Sequence, residues 1–204
     1  MADRKHGILA PPTTSTIRPD DWTGETLSGQ RHEAVRFVDI DLSEQESRGA
    51  LFTDCTFHNV RFNASTHTDG AFLNCTFERC SFFDVRFVRC KLVGTMFDRC
   101  RFGPLTAEGG DWSLVGMPGA DLRQATFRDL RMREADLTGA RFDGGTLREV
   151  DLLGALLHRA SFHGTDLRGS DLSSLDPRNA DVGDALIDVE QALMIATALG
   201  MRIG

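Results

Sequence analysis

A period of five runs through this chain and restricts what it can fold into. Counting in fives from Trp22 to Ile187 visits 34 positions, of which 29 are Phe, Leu, Met, Trp, Val or Ile. Thirteen of the 14 phenylalanines and both tryptophans fall in this one register, which chance does not produce. A second series lies two residues earlier and is small. From Val35 to Ala185 it has 31 members, of which 26 are Ala, Cys, Gly, Ser, Thr or Val. Its exceptions are Ile40, Gln45, Leu105, Leu130 and Leu175. Ala120-Asp121-Leu122-Arg123-Gln124 and Ala135-Asp136-Leu137-Thr138-Gly139 are clear copies of the unit.

Neither regular element accommodates this spacing. On an α-helix each step of five turns by roughly 140°, which scatters the phenylalanines around the axis. On a flat strand, odd spacing places them on alternating faces. Two inward residues spaced by two are strand-like, so the other three must carry the chain around a corner. The repeat therefore predicts a parallel β-solenoid with one flat side per pentapeptide. The large residue fills the axis and the small one fits beside it. Gly94, Gly119, Gly139, Gly144, Gly154, Gly164 and Gly169 at the corner position suit tight turns. At ~4.8 Å per rung, about eight coils make a rod of roughly 40 Å.

The five cysteines, Cys55, Cys75, Cys80, Cys90 and Cys100, all occupy the small series. Zinc ligands come in short knuckles that converge on a point; these sit one per rung, where Ala or Val serves elsewhere. They are read as buried structural thiols rather than a metal or redox site. Cys80 and Cys100, with the axis residues Phe57, Phe77 and Phe97, stand for the expected core, and no metal or cofactor is assigned. His67, in an axis slot between Thr66 and Thr68, is read as hydrogen-bonded structure, and His32 as a cap of the first coil.

The A(D/N)LXX-like units resemble the pentapeptide-repeat family over residues 22–187. That resemblance implies a right-handed quadrilateral parallel β-helix with four pentapeptides per coil. The register is unbroken, Arg101-Phe102-Gly103-Pro104-Leu105-Thr106 interrupts only the small series, and the chain ends Ile187-Asp188-Val189-Glu190-Gln191-Ala192. In these respects it resembles the family's gyrase-binding members, which imitate duplex DNA as dimers, more than members with loops projecting between coils. The implied partner is DNA gyrase, with modulation of supercoiling and protection against fluoroquinolones or a gyrase-targeting toxin. A structural scaffold with an unrelated protein partner is the alternative.

Charge and chain ends bear on the same reading. The net charge of −7 argues against direct nucleic-acid binding. Residues 161–190 hold Asp166, Asp171, Asp176, Asp181, Asp184, Asp188 and Glu190 against only Arg168 and Arg178. The first four precede successive axis positions, one per side, and with Asp184 form the candidate gyrase-binding surface. An aspartate in that slot also suits a hydrogen bond to the corner backbone. Upstream arginines make the middle of the chain mixed in sign.

After residue 187 the period turns helical. Asp188 and Gln191 suit a capping box, Gly200 a helix stop, and Val189, Leu193, Ala196 and Leu199 an apolar stripe. Residues 188–204 are expected to cap the solenoid and to form a twofold dimer interface. Residues 1–21, with neither a signal-peptide core nor the repeat, read as a disordered or extended arm. No stretch is long and apolar enough to span a bilayer, and the reading is a cytoplasmic protein. No nucleophile, base and phosphate loop converge, so it is read as a binding protein rather than an enzyme.

Overall fold

A computed structural model describes residues 10–21 and 26–202. Trp22 and the first nine residues of the arm lie outside them. Every strand pairing among the described residues is parallel, at one offset. Ser15 pairs with Val35, Phe37 with Phe57, Phe57 with Phe77 and Phe77 with Phe97. The same 20-residue step continues to Phe127↔Leu147 and, as a single bridge, to Asp166↔Leu186. A coil is therefore 20 residues long, and four five-residue sides close each turn of a parallel β-solenoid. Ser15–Ile17, within the arm, extends this ladder with Ile17 packed against the core.

The two halves build their sides differently. Ser15–Ile17, Val35–Val38, Thr56–His58, Thr76–Glu78 and Met96–Asp98 form a five-stranded sheet on one side. Beyond Asp111 only Ala125–Arg128 and Thr146–Arg148 are strands, and the other sides are held by bridges such as Gly116↔Asp136 and Arg131↔Asp151. There the corners close on themselves, as in Ala140 N–H to Leu137 C=O at 3.0 Å and Ala155 N–H to Leu152 C=O at 2.9 Å. Each such turn takes residues out of the ladder.

Corners do not depend on glycine. Eighteen non-glycine residues have φ between 50° and 60°, all two positions after an axis residue. Left-handed backbone costs an L-residue roughly 1–2 kcal/mol. Here it aims the corner N–H at the next coil, as in Asp54 N–H to Leu73 C=O and Asn59 N–H to Glu78 C=O, both 2.9 Å. The bond offsets the strain, and Asp and Asn tolerate this region best.

Axis residues stack in columns. Phe37, Phe57, Phe77 and Phe97 lie face to face with centroids 4.8, 4.8 and 5.0 Å apart, and Met117, Leu137 and Leu157 continue the column, all buried. A second column holds Ser47, His67, Phe87 and Ala107. There the buried Ser47 hydroxyl meets His67 at 2.7 Å, and Trp112 lies edge-on to Phe87 and Phe127, the residues above and below Ala107. Small axis residues are thus filled by neighbours. Phe83 is the one phenylalanine outside the register, and it points outward, 58 % exposed.

The small slot also has a polar function. Cys55, Cys75, Cys80, Cys90 and Cys100 each donate S–H to the carbonyl 23 residues earlier, at 3.2–3.5 Å. Thr95, Thr165 and Ser170 make the same bond with a hydroxyl, at 2.7 Å. The slot therefore takes a compact side chain with one donor, which explains why Cys, Ser and Thr interchange there. All five thiols are free, four buried and Cys100 half-buried. Burial holds Cys75 and Cys100 well above the ordinary thiol range and pushes Cys90 up to about 11. A native sample at pH 8 should therefore give Ellman's reagent at most one thiol, the half-buried Cys100 and that only slowly, and all five only in denaturant. Rapid native labelling of two or more would contradict this packing.

Candidate partner-binding surface

The aspartate that precedes each axis residue has a local role first. One carboxylate oxygen accepts the N–H two residues on: Asp121 from Arg123, Asp136 from Thr138, Asp151 from Leu153, Asp166 from Arg168, Asp171 from Ser173, Asp176 from Arg178 and Asp181 from Gly183. These are Asx turns that fix the corner. The second oxygen is left for the surface.

What that oxygen meets changes along the rod. Upstream, these carboxylates face guanidinium groups one rung away: Asp41 with Arg61 at 2.5 Å, Asp111 with Arg131 at 3.5 Å, and Asp151 with Arg133 at 2.5 Å. The Arg61 guanidinium holds the Asp41 carboxyl down at about 2. Exposed pairs of this kind contribute ~0–1 kcal/mol each to stability, but they neutralise the middle of the solenoid.

In the last coil this pairing stops. Asp166 is still bound by Arg168 at 2.8 Å, which lowers its pKa, with Arg148 farther off at 4.0 Å. Asp171, Asp176 and Asp181 have no ion-pair partner among the described residues. Asp176 takes a neutral bond from Asn179 at 2.6 Å. Asp184 is almost fully exposed, 3.7 Å from His163. Of the five predicted surface aspartates, four thus project uncompensated charge from the end of the rod.

The helix Val189–Ala198 follows directly. Asp188 accepts Gln191 N–H, and Gln191 Oε1 accepts Asp188 N–H, both at 2.9 Å. Bonds from Gln191 and Gly169 N–H hold the Asp188 carboxyl below its ordinary range. The buried Gln191 amide donates to Leu167 and Ser170 carbonyls at 2.7 and 2.8 Å. One side chain therefore starts the helix and occupies the otherwise open end of the last coil. At the other end Gly200, φ 85°, and Met201 donate to Thr197 and Ala196 carbonyls, a Schellman closure. Val189, Leu193 and Leu199 are exposed, as are Met194 and Met201, while Ala196 is half-buried. Phe57, Phe77 and Cys80 are fully buried and Phe97 is 6 % exposed. His32 is stacked on Phe52, its centroid 5.3 Å away, and burial lowers its pKa.

Among the described residues no group of three or more His, Cys, Asp or Glu side chains could hold a metal ion, and no helix is long and apolar enough to cross a membrane.

Twenty-residue coils, an aromatic axis, small donor slots and Asx corners define a β-helix of the pentapeptide-repeat type. The family model described as pentapeptide repeat region matches residues 80–157, and one described as the SV2A/B/C luminal domain matches residues 23–102. Among curated proteins it is similar to the pentapeptide repeat protein MfpA of Mycobacterium tuberculosis, 38 % identical over 87 residues. That alignment covers 43 % of this chain and 48 % of the relative, about half its length. The MfpA of Mycolicibacterium smegmatis is 38 % identical over 58 residues, 28 % of each chain. Among solved structures, a trypsin-treated form of QnrB1, a plasmid-mediated fluoroquinolone resistance protein, gives a TM-score of 0.59 at 20 % identity. It covers 85 % of this chain and 99 % of that one. Full-length QnrB1 gives 0.52 at 20 % identity, covering 94 % and 98 %. At that identity the likeness shows the fold alone.

Proposed function

We propose that this protein binds DNA gyrase as a rod-shaped mimic of duplex DNA, modulates supercoiling, and protects the enzyme from fluoroquinolones or a gyrase-directed natural toxin. The carrying observation is the last coil, where Asp171, Asp176, Asp181 and Asp184 stand without arginine partners, whereas upstream Asp41, Asp111, Asp121 and Asp151, each preceding an axis residue, face one. The partial identity to the MfpA proteins supports the same reading. The partner surface is one that ordinarily accepts DNA phosphates.

The Asx turns dictate how to test it. Lysine at these positions would remove charge and corner bond together. Asparagine keeps the oxygen that accepts the i+2 N–H and removes only the charge. The triple variant Asp171→Asn, Asp176→Asn, Asp181→Asn is expected to melt within a few degrees of wild type. In supercoiling and ciprofloxacin-cleavage assays with purified gyrase it should lose at least tenfold in potency. Equal potency from the folded variant would reject mimicry through this coil.

Homodimerisation through the C-terminal helix belongs to the same reading. Val189, Leu193 and Leu199 expose apolar surface at one end of the rod, and a twofold contact there would double its length. Leu193→Asp with Leu199→Asp should halve the mass measured by light scattering. A dimer that persists in this variant would place the interface elsewhere.

A further inference from the structure

A groove of about 540 Å³ lies along one corner of the solenoid, built from four successive rungs of the first half and distinct from the acidic last coil. Its wall is Phe83, the phenylalanine that serves no packing role. An outward aromatic ring adds nothing to the core, yet this one is held in place. Its backbone N–H donates to Asn63 Oδ1 at 3.1 Å, and the Ser81 hydroxyl fixes the same oxygen at 2.7 Å. The ring lies over Gly103, where a Cβ would come within 2.3 Å of Phe83 Cδ2. Any side chain at residue 103 would displace it.

The groove also carries unbalanced charge. Its one lining carboxylate, Asp39, accepts from Asn59 at 2.7 Å, and its Arg61 is engaged by Asp41 at 2.5 Å. Arg79 and Arg101 line the same groove, both exposed, with no carboxylate in reach among the described residues. In a chain of net charge −7, two unpaired guanidinium groups in one groove beside an exposed aromatic form a local patch of opposite sign. Aromatic and arginine side chains are the residues enriched at the centres of protein interfaces. Free guanidinium groups select carboxylates, which they bind in bidentate fashion.

We propose that this groove docks an acidic segment of a protein partner, with an apolar side chain against Phe83 and flanking carboxylates on Arg79 and Arg101. The inference does not rest on gyrase binding, because the surface, its sign and its position differ from those of the last coil.

A random dodecapeptide library displayed on phage would be selected on the immobilised full chain and counter-selected on the Arg79→Glu/Arg101→Glu variant. Enriched peptides should place Asp or Glu on both sides of an aromatic or aliphatic residue. The leading peptide, synthesised with a fluorescent label, should bind the double variant at least tenfold more weakly by anisotropy. It should bind Phe83→Ser about fivefold more weakly, and lose a similar factor when its Glu and Asp become Gln and Asn. Gly103→Ala, which shifts the ring without touching charge, should also weaken it. Melting curves would confirm that these exposed-site variants fold. No enrichment, or enrichment without acidic bias, would overturn the proposal. So would binding unchanged by Phe83→Ser and competed away by inorganic phosphate, which would mark a plain anion site. A shift of the untreated protein toward monomer caused by Phe83→Ser would overturn it too, by assigning the groove to a second copy of this chain.

Discussion

Phe77→Ala is expected to cost about 4 kcal/mol of stability, at the upper end for a single core truncation in this chain. Phe77 is fully buried between Phe57 and Phe97, at 4.8 and 5.0 Å. It also meets Phe62 and Phe82 edge-on and Phe72 at a tilt, at 5.5, 5.2 and 5.7 Å. Such pairs add ~0.5–1.5 kcal/mol beyond area burial. The column cannot close over the gap, because each rung is fixed by backbone bonds to the next, such as Met96 N–H to Cys75 C=O at 2.9 Å. Phe77→Leu should cost only ~1–1.5 kcal/mol, since leucine fills the same column at Leu137. Urea unfolding at pH 7.5 reads both as midpoint shifts. A solenoid is coupled only rung to rung, so the alanine variant should also show a shallower or two-step transition as its halves uncouple. A loss below 1.5 kcal/mol for Phe77→Ala would mean that the coils can collapse inward and that the stack is not rigid.

The same stack was legible as a period, because the solenoid writes its cross-section into the sequence once every five residues. The phenylalanine register marks the axis and the small register marks the wall. The four-sidedness was not legible in the period, which is the same for three sides or five; the 20-residue offset of Phe57 and Phe77 settles it. Corner chemistry was only half visible. Glycines suggested tight turns, but Ala34, Arg79 and Leu114 adopt the same left-handed conformation because an inter-coil hydrogen bond holds each of them there. A propensity argument cannot anticipate a bond to a residue 19 positions away.

Function was harder to read for a related reason. The aspartate preceding each axis residue looks like surface charge, and it is also a turn element. Asp121 and Asp181 occupy equivalent positions and make the same Asx bond. They differ only in the neighbour opposite the second oxygen, which is Arg123 for Asp121, at 2.6 Å, and no arginine for Asp181. That difference is a matter of three-dimensional pairing, so a count of carboxylates in residues 161–190 located the acidic end without separating Asp166 from the rest. Phe83 gave a clearer signal as the one aromatic that breaks the register. A residue that violates a strong repeat without being buried is where a surface role should be sought.

Acidification should destabilise this protein through His67 well before most carboxylates titrate. The ring is fully buried, stacked on Phe87 at 5.2 Å and edge-on to Phe62 and Phe72. Its nitrogens meet Ser47 Oγ at 2.7 Å and Ser65 Oγ at 3.0 Å. Ser65 spends its own proton on the Phe62 carbonyl at 2.5 Å, so its oxygen accepts from Nε2–H. Nδ1 must then accept from the Ser47 hydroxyl, and the neutral ring is fully satisfied. A second ring proton would turn the Ser47 hydroxyl away from Nδ1 and cost its O–H the acceptor it has in the neutral state, and the charge would have no carboxylate among these contacts. Desolvation accordingly lowers the His67 pKa from 6.5 to about 4. Between those values the unfolded chain binds the proton and the folded one does not. The contribution is therefore complete above pH 6.5 and lost as pH falls toward 4, about 3 kcal/mol in all. Urea unfolding of wild type and His67→Phe at pH 7.5, 5.5 and 4.5 measures it. Phenylalanine fits the column and cannot titrate, so the variant should start less stable, with the Ser47 hydroxyl unpaired, and then lose about 3 kcal/mol less on acidification. Parallel pH profiles for the two proteins would show that another group governs acid stability and that the ring reaches water before the fold is lost.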